Sequence, residues 1–171
     1  MSAAQGRSSV VYGSSQAGVV DETTRRSLRL TPSVETVDLI VNRLRVCMDQ
    51  VAEHFAVKLS ETEDPQFLRY QKGDFFVAHQ DGNTGLLQLD TERRLVSTVI
   101  FLSRETASPE EGRKAYSGGS LVFTDLRAMS ENAKFHLRAE PGMLVAFRSE
   151  TTHEVTPVTH GERYSIVSWY R

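Results

Sequence analysis

The sequence predicts a mainly β domain, a sandwich or barrel of jelly-roll type, covered by one helix. One helical stripe of apolar residues occurs early in the chain. About eight short runs with a period near two follow it, and glycines recur in or near the gaps between them. Short strands at this spacing are typical of jelly rolls and related barrels. A chain of 171 residues fits one domain with a real core, so we expect a single domain over residues 1–171.

The covering helix is predicted to begin near residue 31. Thr31 can cap its N-terminus, Pro32 suits the first helical position and Glu35 falls in the first turn. Apolar residues then recur on one face, which predicts packing against a sheet. They are Val34, Val37, Val41, Leu44, Met48, Val51 and Phe55.

The segment before the helix is rich in Ser, Gly and Ala, and residues 1 to about 20 are expected to form a loose arm. We expect residues 1–27 as a whole to be an N-terminal arm or extension of the domain. After Pro65 the pattern changes to strands, which are predicted for "FLRYQ", "FFVAH", "RRLVSTVIFLS", "GGSLVFTD", "KFHLRA", "GMLVAFRS", "HEVTPV" and "RYSIVSWYR". The longest polar insertion covers residues 103–119, and a loop of that length in a compact domain is often functional.

Composition excludes several kinds of partner and site. The net charge of −2 gives no reason to expect a nucleic acid or an acidic membrane. Cys47 is the only cysteine, so an intrachain disulfide and a zinc site of thiolates are excluded. No apolar run approaches membrane-spanning length, and the N-terminus does not resemble a secretion signal. We therefore expect a cytoplasmic protein, and the sequence does not indicate its oligomeric state.

The first candidate site residues lie in "FFVAHQDG", residues 75–82. Side chains at i and i+2 of a strand point to the same face, so His79 and Asp81 would reach into the same space. Taken alone, this pair is also compatible with two polar residues at a strand end. His153, after a buried-strand pattern and a polar turn, begins another strand and can bring a second histidine to the pair.

Two histidines and one carboxylate on one face are the ligand set of non-haem Fe(II) oxygenases. Three protein ligands leave three positions of the metal open, so a cosubstrate and O₂ can bind side by side. Arg163 begins the apolar strand "RYSIVSWYR", where a charged residue normally needs a partner. It could be an exposed strand end. Its guanidinium could also clamp a carboxylate with two parallel hydrogen bonds.

The order and spacing of these residues resemble the Fe(II)/2-oxoglutarate dioxygenases, specifically the prolyl-4-hydroxylase-like group. The resemblance covers about residues 67–171 and rests on Tyr70, Gly73, His79, Asp81, Gly118, Gly119, Gly142, Phe147, His153, Val155, Gly161, Arg163 and Trp169. It implies a double-stranded β-helix whose iron is held by His79, Asp81 and His153.

The resemblance also implies roles for residues around the cosubstrate. Arg163 would bind the distal carboxylate of 2-oxoglutarate with help from the Tyr70 hydroxyl, and Leu121 would pack along the cosubstrate. Phe101, which stands where some relatives have a tyrosine, and Trp169, which matches an aromatic residue of the pocket, would form part of the pocket wall. Tyr70 and Trp169 are equally compatible with core aromatics.

The implied activity is hydroxylation of an aliphatic C–H bond with Fe(II), 2-oxoglutarate and O₂, and with L-ascorbic acid as a reductant. Halogenating relatives lack the carboxylate that Asp81 supplies. The resemblance favours a prolyl or other amino-acid residue in a peptide or protein as substrate, and a free amino acid or small metabolite is the alternative. Residues 82–94 and 103–117 are expected to frame the mouth of the site. A different class, a cupin-like binding module or isomerase, usually brings three histidines and lacks the late arginine.

Overall fold

The computed structural model describes residues 6–8, 11–13, 16–19, 23–82, 93–107, 115–124 and 134–171. Within these ranges the chain forms one helix, α1 (Val34–Phe55). Its strands are β1 (Gly6–Ser8), β2 (Val11–Gly13), β3 (Gln16–Val19), β4 (Arg25–Arg26), β5 (Leu28–Leu30), β6 (Gln66–Tyr70), β7 (Phe75–His79), β8 (Val96–Phe101), β9 (Arg104–Glu105), β10 (Ala115–Gly118), β11 (Leu121–Thr124), β12 (Lys134–Leu137), β13 (Leu144–Arg148), β14 (His153–Val155), β15 (Val158–Gly161) and β16 (Arg163–Tyr170).

Two sheets carry most of the structure. The larger has the strand order β1-β5-β6-β16-β8-β13, and the smaller has the order β12-β11-β14-β7-β4. A three-stranded sheet, β15-β10-β9, and the β2-β3 hairpin complete the arrangement. Strands distant in sequence lie side by side in both large sheets. This architecture confirms the predicted class of a mainly β fold with one covering helix.

The helix begins two residues later than the cap at Thr31 and the first helical position at Pro32 predicted. Ser33 is the N-cap, with extended backbone, and its hydroxyl oxygen accepts a hydrogen bond from the backbone N–H of Thr36. The prediction of Thr31 as the cap was therefore wrong. Serine and threonine are both good caps, and the choice between them depends on which hydroxyl reaches a free N–H of the first turn.

The helix covers the larger sheet, as its apolar stripe predicted. Leu44 and Val51 are buried in one cluster with Val96 and Tyr170 of the sheet. The Tyr170 hydroxyl donates a hydrogen bond of 2.7 Å to the carbonyl oxygen of Leu44. Val34 was predicted to belong to the packed face, but as the first residue of the helix it is 71% exposed and lies outside the cluster.

The N-terminal segment was expected to be a loose arm, and parts of it form strands. The backbone of β1 pairs antiparallel with β5, so the segment extends the edge of the larger sheet. Edge pairing uses backbone groups and needs no particular side chains, which explains why the composition gave no indication of it. Within the described ranges, no helix is long and apolar enough to span a membrane. The cytoplasmic location stays a prediction.

The two segments expected to frame the site are described only in part. Residues 83–92 and 108–114 lie outside the described ranges. The ends of the second segment form β9 and β10, which pair with each other in parallel. Between the two large sheets lies a cluster that includes Phe101, Leu121 and Phe147. Leu121 of this cluster also lines the cavity that contains the candidate site.

Candidate active site

Two neighbouring strands bring the predicted histidines together. His79 ends β7, His153 begins β14, and the two residues are partners in the antiparallel register. Their ring centroids lie 4.2 Å apart. Asp81 follows β7, and its backbone N–H donates a 2.9 Å hydrogen bond to the carbonyl oxygen of Ser149. That bond turns the chain so that the Asp81 carboxylate faces both rings.

The donor atoms of the three side chains converge on one point. Nε2 of His79 lies 3.5 Å from Oδ1 of Asp81, and Nε2 of His153 lies 3.6 Å from Oδ2. One ligand atom from each residue lies within 4.8 Å of the others. Two imidazole nitrogens and one carboxylate form a donor set that suits a non-haem iron site with open positions. The three residues can therefore hold a metal ion.

Hydrogen bonds on the far side of each ring orient the histidines. Nδ1 of His79 lies 2.9 Å from the carbonyl oxygen of Val77, and Nδ1 of His153 lies 2.9 Å from that of Thr151. A carbonyl oxygen only accepts, so each Nδ1 carries its proton and donates. Each Nε2 is then the nitrogen directed at Asp81 and available to a cation. Such backbone partners fix the tautomer of metal-binding histidines in general.

The protonation states of the site also suit a cation. Burial lowers the pKa of the His153 imidazole, against the opposing effect of the Asp81 charge. Its ring is therefore neutral near pH 7, as a metal ligand must be. Burial alone would raise the pKa of the Asp81 carboxyl, but the contacts with His79 and His153 hold it well below its usual range. Asp81 is thus ionised.

Aromatic residues hold both imidazoles in place. The Phe76 ring stacks on His79 with centroids 3.5 Å apart, and the Phe147 ring meets His153 edge-on at 4.7 Å. Phe147 belongs to the buried cluster between the sheets. The rotamers of the two histidines are therefore determined by core packing as well as by hydrogen bonds.

A cavity of about 220 Å³ extends from the three donor residues into the protein. His79, Asp81 and His153 line one part of it, and Arg163 lies in the same cavity. Arg163 begins β16, opposite Tyr70 of β6, and is only 2% exposed. This burial excludes the alternative that Arg163 is an exposed residue at a strand end.

The guanidinium of Arg163 lacks an anionic partner among the described residues. NH1 donates a 2.8 Å hydrogen bond to Oγ of Ser165, while the buried Nε has no hydrogen-bond partner there. Its Cζ lies 5.1 Å from the centroid of the Tyr70 ring and 5.2 Å from that of Phe101. A buried guanidinium in this position calls for a carboxylate, because an unpaired buried charge is strongly unfavourable. The cavity is therefore suited to an anionic ligand.

Tyr116 is a neighbour of Arg163 that the sequence analysis missed. Its hydroxyl is buried and has no hydrogen-bond partner within the described part of the chain. Burial raises the pKa of this hydroxyl to about 12, although the charge of Arg163 beside it acts in the opposite direction. No sequence pattern singles out Tyr116, because it is one aromatic residue in a strand that flanks the long polar insertion.

Gly119 makes room for this arrangement. Its φ of +60° is a conformation that side chains rarely adopt, and an added Cβ would lie 3.3 Å from Cδ of Arg163 and 2.7 Å from Cγ2 of Val158. The second glycine of the Gly118–Gly119 pair therefore has a packing role, because it allows the Arg163 side chain to pass close to the backbone.

The remaining predicted site residues differ in their relation to the cavity. Tyr70, Leu121 and Trp169 all line it. Phe101 does not line it, although it was predicted as part of the pocket wall. Its fully buried ring lies beside the guanidinium of Arg163, with the ring centroid 5.2 Å from Cζ, and belongs to the buried cluster between the sheets.

A second arginine at the cavity was also missed. Arg94 lines the cavity, and its Cζ lies 3.6 Å from the centroid of the Trp169 ring. Its Nε and NH2 donate to the two carboxylate oxygens of Glu63 at 2.6 and 2.7 Å. The buried indole N–H of Trp169 has no hydrogen bond of normal geometry among the described residues. As a donor directed towards Asp81, the indole N–H nevertheless makes a small contribution to the lowered pKa of that carboxyl.

Comparison with known sequences places these features in a family context. The sequence profile of the 2OG-Fe(II) oxygenase superfamily matches residues 65–171. A PKHD-type hydroxylase of Shewanella oneidensis is 35% identical over 105 residues. That match covers 61% of this chain and 41% of the relative, so the chain spans about two fifths of the relative's length.

Solved structures share the fold. A prolyl-4-hydroxylase of Pseudomonas putida superposes with a TM-score of 0.64 at 27% identity, covering 88% of this chain and 74% of that one. A prolyl hydroxylase of Trichoplax adhaerens, solved with a peptide fragment of the hypoxia inducible factor oxygen degradation domain, gives a TM-score of 0.65 at 18% identity. That alignment covers 94% of this chain and 70% of the other, and shows the fold alone. The predicted jelly-roll architecture is confirmed.

Proposed function

This chain belongs to the 2OG-Fe(II) oxygenase superfamily, and we propose that it hydroxylates an aliphatic C–H bond with Fe(II), 2-oxoglutarate and O₂. One observation carries the proposal. The three donor residues His79, Asp81 and His153 converge in the same cavity as the buried Arg163, for which the described residues supply no carboxylate. A metal and a dianionic cosubstrate would satisfy both features at once.

In this proposal His79, Asp81 and His153 hold the iron. Each histidine donates its Nδ1–H to a backbone carbonyl oxygen and presents the lone pair of Nε2 to the metal. Asp81 supplies the one negative charge of the ligand set. Three ligands on one face leave the other positions of the metal to the cosubstrate and O₂.

Arg163 and its neighbours would hold the distal carboxylate of 2-oxoglutarate. Ser165 fixes one end of the guanidinium, and the unpaired Nε is available for the second bond of a two-point contact. The Tyr70 hydroxyl can add a hydrogen bond from the opposite strand. Leu121 and the other apolar residues of the wall exclude water, which strengthens these electrostatic contacts.

Iron with its cosubstrates supplies the oxidising power for hydroxylation, and this chain supplies binding, orientation and a dry pocket. The aromatic contacts of Phe76 and Phe147 keep the two imidazoles in one orientation. Asp81 favours hydroxylation over halogenation, because it occupies the position that a halide would need. Ascorbate as a reductant stays a prediction.

A prolyl or other amino-acid residue is the proposed substrate. The hydroxylase name of the Shewanella relative and the prolyl-4-hydroxylase structure from Pseudomonas putida support this choice. A free amino acid or a small metabolite is the alternative substrate. A non-catalytic cupin-like module is the alternative class, and the presence of Asp81 in the donor set together with Arg163 argues against it.

Succinate release tests the proposed function directly. The purified protein would be supplied with Fe(II), ascorbate and 2-oxoglutarate in air, and candidate substrates would be examined by mass spectrometry for a gain of one oxygen atom. We expect succinate that depends on iron and increases with a productive substrate. The variant Asp81→Ala should release none. A protein that binds iron but never converts 2-oxoglutarate would support the cupin-like alternative.

A further inference from the structure

Arg25 places a positive charge at the cavity next to the proposed iron site. It lies in β4, which pairs with β7 so that Arg25 is opposite Phe76. Its side chain lines the cavity, whereas the neighbouring Arg26 is exposed and does not. Successive residues of a strand point to opposite faces, which explains the difference between the two arginines.

The guanidinium of Arg25 is held in a fixed position. Its Nε donates a 3.0 Å hydrogen bond to Oγ of Ser27, and its Cζ lies 4.6 Å from the centroid of the Phe76 ring. The Phe76 ring in turn stacks on His79 at 3.5 Å. Arg25, Phe76 and His79 thus form one stack. The two distances place the guanidinium no more than about 8 Å from the His79 imidazole.

The terminal nitrogens of Arg25 have no carboxylate partner within the described ranges. The other two arginines of the cavity differ, because Arg94 is already paired with the Glu63 carboxylate and Arg163 would hold 2-oxoglutarate. On the proposed function, on which this inference rests, the charges of Fe(II), Asp81, 2-oxoglutarate and Arg163 cancel. The charge of Arg25 then remains for the substrate.

We propose that Arg25 binds a carboxylate of the substrate, which lies within one amino-acid residue of the carbon that is hydroxylated. The distance to His79 leaves room for the few carbon atoms of a single residue. A free amino acid and the C-terminal residue of a peptide both offer this chemistry. The interior residue of a longer peptide does not, unless its own side chain is acidic.

Matched acids and amides test this inference by binding alone. The probes are L-proline and L-prolinamide, and N-acetylglycyl-L-proline and its C-terminal amide. Each would be titrated calorimetrically into the protein loaded with Fe(II) and 2-oxoglutarate without oxygen. The variants are Arg25→Gln and Arg25→Lys, with Arg26→Gln as a control that removes the same charge from the exposed face of the same strand.

The wild type and Arg26→Gln should bind at least one acid about tenfold or more tightly than its amide, as expected for a hydrogen bond between charged groups. Arg25→Gln should lose this preference, and Arg25→Lys should retain part of it. The pair that shows the preference distinguishes a free amino acid from a chain end. Equal binding of acids and amides, or no binding of any probe, would overturn the inference.

The same samples separate this inference from the proposed function. 2-Oxoglutarate bound to Fe(II) gives a charge-transfer absorption, which Arg25→Gln should retain because Arg163, and not Arg25, is the proposed partner of the cosubstrate. An absent band in the wild type would reject the proposed function. A normal band without preference for acids would reject the role of Arg25 alone.

Discussion

The guanidinium of Arg94 lies over the indole ring of Trp169, with its Cζ 3.6 Å from the ring centroid. Glu63 holds the other edge of the guanidinium through two charge-assisted hydrogen bonds. NH1 of Arg94 also reaches the backbone oxygen of Asp81 at 3.5 Å. These contacts link a carboxylate outside the donor set to the segment that carries the proposed iron ligand.

Replacing Glu63 should therefore destabilise the protein. Glu63→Gln removes the charge that Arg94 and Arg171 share, and both guanidinium groups are mostly buried. We expect the free energy of unfolding in urea to fall by about 2–3 kcal/mol, the size of a lost hydrogen bond to a charged group. The control is Glu61→Gln. Glu61 is exposed, and its Oε1 lies 3.8 Å from NH1 of Arg171, so this pair is a weak surface contact with the same arginine.

That control should change the unfolding free energy by no more than about 0.5 kcal/mol. Similar losses for both variants would show that the Glu63 pair contributes no more than a surface contact. The absorption of the iron complex with 2-oxoglutarate should also shift in Glu63→Gln if Arg94 helps to position Asp81.

Asp81 should be required for metal binding. Asp81→Asn keeps the shape of the side chain but removes its charge. A ligand that binds only the folded state stabilises it, by about 2.7 kcal/mol at a hundredfold excess over the dissociation constant. We expect Mn(II) or Fe(II) to raise the Tm of the wild type and to leave that of Asp81→Asn unchanged.

His136→Ala is the matched control for the metal measurements, because His136 is an exposed strand histidine outside the donor set. It should respond to metal as the wild type does, whereas His79→Ala and His153→Ala should not. A normal metal-induced rise in Tm for any variant of the three donor residues would remove that residue from the ligand set.

Gly119 and Gly142 offer a comparison between strain alone and strain with a clash. Both have positive φ, but an added Cβ at Gly142 meets nothing within 4 Å. Gly142→Ala should cost about 1–3 kcal/mol of unfolding free energy through backbone strain and leave 2-oxoglutarate binding unchanged. Gly119→Ala should cost more and weaken that binding, because the methyl group displaces Arg163. Equal behaviour in both assays would contradict this role for Gly119.

The fold class and the donor residues could be predicted because they depend on local patterns. The period of the strands is visible in the sequence, and His79 and Asp81 share a face through their spacing alone. His153 was found because it begins a strand after a turn. Arg163 was found because a charge is unusual at the start of an apolar strand.

The residues that were missed act through contacts between distant parts of the chain. Arg94 meets Trp169 across 75 positions, and only the pairing of β16 with β8 brings them together. Arg25 reaches the cavity because β4 pairs with β7, and nothing in its own segment indicates that pairing. The position of the Phe101 ring beside Arg163 has a similar cause, since its orientation depends on the packing between the sheets.

The central claim is that the cavity holds Fe(II) and 2-oxoglutarate together, with Arg163 as the anchor. The most direct measurement is an anaerobic titration of the Fe(II)-loaded protein with 2-oxoglutarate, followed by the charge-transfer absorption. The wild type should give a saturable band.

Arg163→Ala should keep its iron but bind 2-oxoglutarate at least about a hundredfold more weakly. Breaking a buried charge pair costs about 3–5 kcal/mol, and about 1.4 kcal/mol corresponds to a tenfold change in the dissociation constant. Arg163→Lys should fall between the two, while Arg69→Lys, outside the cavity, should match the wild type. An unchanged midpoint for Arg163→Ala, or no band in the wild type, would contradict the account.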